Sequence, residues 1–319
     1  MPLQLPVERW TGKIRQVTIG ATKEEGGTRT KKLTVGGLAT LAFLDLDGTI
    51  PNPPAIGMEV MDVVPADFPA LITAEFQDSI GSVAARAKKC VEQFGADFIC
   101  LKLESTNPEG ENRSPEQAAQ TVKDVLSAVS VPLFVYGCGN EEKDSKTMEA
   151  VSYAARGERC FLGLAENGKY KSISVASMAN GHGLVAFSNL DINLAKQLNI
   201  LLTDFGVKPE NIIMDPLMAG IGYGVEYSYS VIERIRLAGL MGDAMLQMPI
   251  VCDTSIAWKA REASIDDQHL GDKAKRGPLW EATTAIAALT AGADMLIMRH
   301  PRAVALVRST VNDLLKGGV

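Results

Sequence analysis

Ten positions in this 319-residue chain have the chemistry to hold a ligand. Cys138, Asn189, Asp215, Thr254, Ser255 and His300 each stand at or just past the end of an apolar run, and Gly220, Gly222, Tyr223 and Gly224 share one short loop. Amide, hydroxyl and carboxylate groups of this kind orient an organic ligand by hydrogen bonds. Asp62, Glu104 with Asn107, Asn140, Glu166 with Asn167, Asp191 and Arg299 complete the polar run ends. One histidine in such a set gives no His/Cys/carboxylate metal spacing. No lysine is expected to close a strand, which leaves Schiff-base chemistry unsupported. His300, before Pro301, has two readings, a site base or a hydrogen-bonded structural histidine. Asp191 is expected first as the N-cap of a helix over 192–205. The loop Met218–Gly224 fails the dinucleotide glycine spacing, because Val225 takes its last glycine position. Its glycines would let backbone approach a flat partner, and Tyr223, Tyr227 and Tyr229 add stacking surface.

Those positions need elements to carry them. From residue 55 onward the chain repeats one pattern, an apolar run, polar loop residues, an amphipathic stretch and a glycine. The runs are Ala55–Val63, Asp97–Glu104, Pro132–Cys138, Cys160–Glu166, Gly183–Asn189, Asn211–Leu217, Pro249–Ser255 and Met295–Pro301. Continuous rather than alternating apolar character fits strands covered on both faces. Eight such units predict an α/β chain folded as a closed (β/α)8 TIM barrel, with its ligand-holding residues at the C-terminal strand ends. Ser114-Pro115-Glu116-Gln117 reads as a capping box, as does Ser230-Val231-Ile232-Glu233. Gly95, Gly157, Gly181, Gly206 and Gly292 are expected at left-handed helix ends, and Gly95-Ala96-Asp97 and Gly292-Ala293-Asp294 repeat one helix-to-strand turn. Residues 1–54 form a separate extension, with short strands expected at Ile14–Gly20, Leu33–Gly37 and Leu41–Asp45 making a hairpin that closes the barrel bottom or meets a partner. Residues 55–319 are the barrel. Ala257–Pro278 reads as a long irregular loop, and Arg302–Leu315 as the eighth helix.

The formal charge is −6, and 22% of residues are charged. That argues against a nucleic-acid partner, which needs a basic footprint. No stretch reads as a membrane span or signal peptide, so the expected location is cytoplasmic, with no membrane partner. The five cysteines are too widely spaced for an iron–sulfur run, and their odd number argues for free thiols. Cys90 and Cys100 read as small core hydrophobes.

Leu44-Asp45-Leu46-Asp47-Gly48-Thr49 resembles the first motif of haloacid-dehalogenase-type phosphatases. The resemblance would make Asp45 the nucleophile and Asp47 the acid/base beside Mg²⁺, but the second and third motifs are missing. The competing reading is an acidic turn before Pro51–Pro54.

A second resemblance is longer. Thr34-Val35-Gly36-Gly37, Asn52–Val60, Asp191–Asn199, Met214-Asp215-Pro216, Gly222–Ser228, Glu233–Leu237, Arg276–Glu281 and Met298-Arg299-His300-Pro301 resemble the small subunit of the corrinoid iron–sulfur protein. They are also similar to the delta subunit of the archaeal acetyl-CoA decarbonylase/synthase. The resemblance implies a barrel paired with a large subunit that alone holds a [4Fe-4S] cluster and carries the corrinoid. It implies methyl transfer from a methyltetrahydrofolate methyltransferase to cobalt, then to acetyl-CoA synthase, in the reductive acetyl-CoA pathway. The corrinoid would lie at the interface with the large subunit, over the ten positions above. Asp267-Gln268-His269-Leu270-Gly271 approaches a cobalamin lower-ligand motif but places its glycine one residue early. Pterin-binding methyltransferase barrels are the alternative; there Asn189 and Asp215 would hold the ring.

Overall fold

A computed structural model describes residues 6–316. Two short antiparallel strands come first, β1 (Gln16–Ile19) and β2 (Leu33–Gly36). Eight parallel strands follow, β3 (Ala55–Met61), β4 (Ile99–Lys102), β5 (Leu133–Tyr136), β6 (Phe161–Ala165), β7 (Gly183–Phe187), β8 (Ile212–Asp215), β9 (Val251–Asp253) and β10 (Met295–Met298). They hydrogen-bond in the order β8-β7-β6-β5-β4-β3-β10-β9, and a parallel bridge between Met214 and Ile250 joins the two ends. The helices are α1 (Ala70–Glu75), α2 (Val83–Glu92), α3 (Pro115–Ala128), α4 (Glu141–Ala154), α5 (Tyr170–Asn180), α6 (Ile192–Asp204), α7 (Val225–Leu240), α8 (Arg261–Ser264), α9 (Lys273–Ala291) and α10 (Pro301–Lys316). The expected (β/α)8 barrel with an N-terminal hairpin is the observed fold. No helix among the described residues is long and apolar enough to cross a membrane.

Inside the barrel, side chains alternate with period two along each strand. The lower layers are apolar, with Ala55, Phe98, Cys100, Phe134, Phe161, Val185, Ile213, Val251, Met295 and Ile297 in one buried cluster. Phe98, Phe134 and Phe161 form a run of rings, with centroids 4.8 and 5.5 Å apart. Glycine makes room for them: a Cβ on Gly57 would stand 2.4 Å from the Phe98 ring, and one on Gly183 would stand 2.2 Å from Phe161. Val17, Ile19 and Val35 belong to the same cluster, so the hairpin plugs the barrel floor.

The two Gly-Ala-Asp turns are built alike. Asp97 accepts from the Ile56 amide (2.9 Å) and Asp294 from the Ile250 amide (2.8 Å), each stitching its turn to the neighbouring strand. Arg308 of α10 donates to Gly95 O and Asp97; Arg236 of α7 donates to Gly292 O and Asp294. The left-handed glycines take φ values from 69° at Gly95 to 123° at Gly292.

Four expectations are corrected. Leu41–Asp45 forms turns, not a strand, and Asp45 is exposed on them. The phosphatase reading falls with it, because its two carboxylates must end a buried strand. Ser230 does not cap a helix: α7 already begins at Val225, after Gly224 turns the chain at φ 102°. Ala257–Pro278 is less irregular than expected, since α8 lies within it and α9 starts at Lys273, capped by Asp272. Finally, a lysine does close a strand: Lys102 is the last residue of β4. The Ser114–Gln117 capping box is present as expected.

Candidate functional site

The upper inward layer is polar. Glu59, Lys102, Tyr136, Asp215, Asp253 and Arg299 each sit two residues beyond an inward-facing residue of the same strand, or of β10 as it ends. The alternation that packs the core therefore also delivers charge to the mouth. Lys102 Nζ lies 2.6 Å from Glu59 Oε2 and 2.6 Å from Asp253 Oδ2. Arg299 reaches Glu59 Oε1 at 2.8 Å, and Ser255 Oγ donates to Glu59 Oε2 at 2.7 Å. Burial alone would raise the Glu59 carboxyl, but the Lys102 ammonium and Arg299 guanidinium hold it at about 2. Burial opposes the charge on Lys102, yet Asp253 and Glu59 outweigh it and raise its pKa. These ions are spent on one another.

Beside them opens a cavity of about 340 Å³, running from the barrel axis outward between the β5–α4 and β6–α5 units. Lys102, Tyr136, Asp215 and Asp253 line its inner end; Cys138, Asp144, Glu166 and Lys169 line its rim. Phe187, Leu217, Met218 and Ile256 give apolar wall. Asp215 is 4% exposed, and one of its oxygens accepts from the Leu217 amide at 2.9 Å. Burial pushes its carboxyl up to about 7, with Asp253 adding in the same direction. Tyr136 is 5% exposed, and its hydroxyl has no hydrogen-bond partner among the described residues. Its ring lies against Gly163, where a Cβ would come within 2.7 Å.

The ten positions read from the sequence scatter around this mouth. Asp215 and Cys138 line the cavity. Cys138 Sγ donates to Asp144 at 3.3 Å, and burial raises the thiol pKa. Thr254 and Ser255 are buried next to it, Thr254 bonded to Ile297 O and Ser255 to Glu59. Asn189 is exposed just after β7 at φ 43° and does not line the cavity. His300 is buried elsewhere, stacked on Trp258 with centroids 5.5 Å apart, its Nδ1 accepting from the Arg302 amide. Burial lowers its pKa to about 4. That is the structural histidine, not a base at the mouth. Beneath it, Glu281 accepts from Trp258 Nε1 and from the Arg299 and His300 amides; burial pushes its carboxyl up to about 7.

The glycine loop leans on its neighbours. Only Met218 of it lines the cavity. Gly220 packs on Ala257, where a Cβ would stand 3.2 Å from Cα. Tyr223 OH donates to Glu262 (2.8 Å) and accepts from the Arg261 amide (3.3 Å), and Trp280 Nε1 donates to Ile221 O at 3.1 Å. Gly222 and Gly224 take φ 80° and 102° at the outer edge of this clasp.

Sequence reasoning missed Glu59, Lys102, Tyr136 and Asp253. Their signal was parity: Gly57/Glu59, Cys100/Lys102, Phe134/Tyr136 and Val251/Asp253 extend the inward phase of each strand.

Known proteins share this architecture and more. The dihydropteroate synthase of Xanthomonas albilineans matches with a TM-score of 0.56 at 16% identity, covering 84% of this chain and 94% of that one. The dihydropteroate synthase of Thermus thermophilus matches at 0.54 and 16%, covering 87% and 99%. At such identity the likeness is one of fold. The acetyl-CoA decarbonylase/synthase complex subunit delta of Archaeoglobus fulgidus is 39% identical, over 98% of this chain and 71% of that protein. Its namesake in Methanocaldococcus jannaschii is 39% identical over 94% and 73%. Residues 16–308 match the family described as CO dehydrogenase/acetyl-CoA synthase delta subunit, and with these relatives the match places the chain in that family.

Proposed function

We propose that this chain is the small, barrel subunit of a corrinoid iron–sulfur protein, covering the corrinoid that a large subunit holds and helping to dock a methyltetrahydrofolate methyltransferase. Methyl would then pass to acetyl-CoA synthase. The corrinoid supplies the cobalt that takes up and releases the methyl group. The observation that carries this reading is delta-subunit kinship through the whole barrel.

The chemistry of the mouth supports a covering role. Its strongest charges are neutralised in place, so they shape the surface without offering a nucleophile–base pair. The free hydrogen-bonding capacity of Asp215 and Tyr136 suits the amide-rich edge of a corrinoid. None of the three histidines lines the cavity, so this chain would offer the corrinoid a rim and no cobalt ligand. A [4Fe-4S] cluster does not fit the residues here: burial pushes Cys90 and Cys160 up to about 12, and no group of three metal-binding side chains forms among the described residues. On this reading a cluster would belong to the large subunit.

A pterin-binding methyltransferase is the second reading, favoured by Asp215 facing the cavity; Asn189, its expected companion, lies outside. Anaerobic co-purification tests the choice. The expected result is a stoichiometric red-brown partner containing cobalt and iron. A colourless lone chain that methylates free cobalamin from methyltetrahydrofolate would overturn it in favour of the second reading.

A further inference from the structure

We propose that Arg86 holds a small monovalent anion of chloride size, in a cavity between β3 and the helices α1 and α2. This cavity measures about 20 Å³ and shares no lining residue with the one at the mouth. The first observation is a buried cation without a partner. Arg86 is 8% exposed, and its Nε has no hydrogen-bond partner among the described residues. Its neighbouring acids are spent elsewhere. Asp62 accepts from the amide and the hydroxyl of Ser105, and Glu59 is shared by Lys102, Arg299 and Ser255. Cys90, one turn further along α2, is a thiol that burial pushes up to about 12, so it offers no negative charge. Burial accordingly pulls the Arg86 guanidinium below its ordinary range.

The position makes that charge harder to hold. Arg86 lies in the first turn of α2, the end where the helix dipole disfavours a cation. Val60, Ile72 and Phe76 wall the cavity and belong to the apolar core, which disperses no charge. The lining then sets the charge of the ligand. Two guanidiniums, Arg86 and Arg299, face one carboxylate, Glu59, so one negative charge brings the cavity to neutrality. Arg299 uses Nε and Nη2 on Glu59 and Ser255, which leaves Nη1 over. Volume sets the size. About 10–15 Å³ admits a single water, so this site takes one particle of that order. A water would satisfy Nε but leave the charge in place. Sulfate, phosphate and carboxylate groups are too large, and a single-atom halide is not. The exposed edge of Arg86 gives the ion its way in.

The test unfolds the full chain thermally in potassium chloride and in potassium gluconate, whose anion cannot enter, at matched ionic strength. Chloride should raise Tm by about 2–4 °C over gluconate, the shift expected of an ion held at about 10 mM and supplied at about 200 mM. Arg86→Met should abolish the difference. In gluconate the variant should unfold no earlier than wild type, because it removes a buried charge that has no partner. Chloride NMR reads the site in the folded chain. Wild type should broaden the free-ion resonance, bromide should reverse the broadening, and sulfate should not. This competition needs no variant, so it decides the matter even if Arg86→Met fails to fold. Equal Tm in chloride and gluconate, displacement by sulfate as readily as by bromide, or undiminished broadening in a folded Arg86→Met chain would overturn the proposal.

Discussion

The floor and the mouth of this barrel both bury charge, and they use it differently. At the floor, arginine ends on backbone. Arg29, in the hairpin extension, is 2% exposed; it donates to the carbonyls of Leu126, Val129 and Val131 and pairs with Glu158 at 2.9 Å. Two of those carbonyls lie at the end of α3, where a cation also meets the negative end of the helix dipole. At the mouth, Lys102 and Arg299 end on side chains, and two groups keep spare capacity toward a cavity. Charge tied to backbone serves only the fold. Charge tied to side chains, next to unspent donors and acceptors, leaves room for a ligand.

The comparison can be broken first at the floor. Arg29→Ala should destabilise by about 3–5 kcal/mol, because it strands the Glu158 carboxylate and three carbonyls in a buried place. Denaturant unfolding measures it. A loss below about 1 kcal/mol would mean the hairpin is not anchored by this residue.

Lys102→Met at the mouth comes next, with an expected loss of about 2–4 kcal/mol, since Arg299 still neutralises Glu59 in part. Its pH dependence carries a sign. Glu59 falls from 4.5 to about 2 on folding, so it contributes stability that is complete above 4.5 and lost as pH falls toward 2. The variant should be less acid-sensitive across that window, and an unchanged acid limb would show that Lys102 does not set Glu59.

Asp215→Asn should act in the opposite direction. The wild-type carboxyl rises from 3.8 to about 7, so the folded chain holds a proton that the unfolded chain releases. Its stabilising effect is present below 3.8 and lost as pH rises through 7. The variant should therefore match wild type near pH 4 and exceed it by roughly 2 kcal/mol above pH 7, less than the shift alone implies at about 1.4 kcal/mol per unit. Stability curves at pH 5 and 8 that run parallel would deny Asp215 its buried proton.

The same contrast explains what could be read from the sequence. The barrel was legible because eight apolar runs and their glycine stops are local signals, and the Gly95 and Gly292 turns were read correctly as copies. Asp191 was likewise read correctly, as it caps α6 through the Asn193 and Leu194 amides. The site was legible only in part. Strands covered on both faces are apolar in both phases, so β4 by itself does not mark whether Lys102 or Leu101 points inward, and the parity with Cys100 tells only once Cys100 is known to face the axis. The Lys102–Glu59 and Arg299–Glu59 pairs span 43 and 240 residues, a separation no spacing rule reaches. The two readings of His300, site base or structural histidine, stayed open because its stacking partner, Trp258, comes from another loop. Leu41–Asp45 looked like a strand because it is apolar, yet Leu44 is 45% exposed on a turn.

The smallest expected effect separates the clasp from the cavity. Tyr223 is 53% exposed, and its hydroxyl joins the loop after β8 to α8 through Glu262 and the Arg261 amide. A half-exposed hydrogen bond of this kind contributes about 0.5–1 kcal/mol, because water replaces it readily. Tyr223→Phe should lower Tm by only about 1–3 °C. Its local effect should be larger than its global one: the loop amides from Ala219 to Tyr223 and that of Arg261 should exchange faster with solvent, while the β-strand amides stay protected. Gly222→Val gives the complementary perturbation, since its Cβ would meet nothing nearer than Trp280 at 3.9 Å and only the φ of 80° is strained. If Tyr223→Phe leaves loop exchange unchanged while Gly222→Val raises it, the loop is held by its own backbone and by Trp280. If both raise it and neither alters ligand binding, the loop and the cavity are separate parts of the mouth, as the lining of the cavity by Met218 alone from that loop implies.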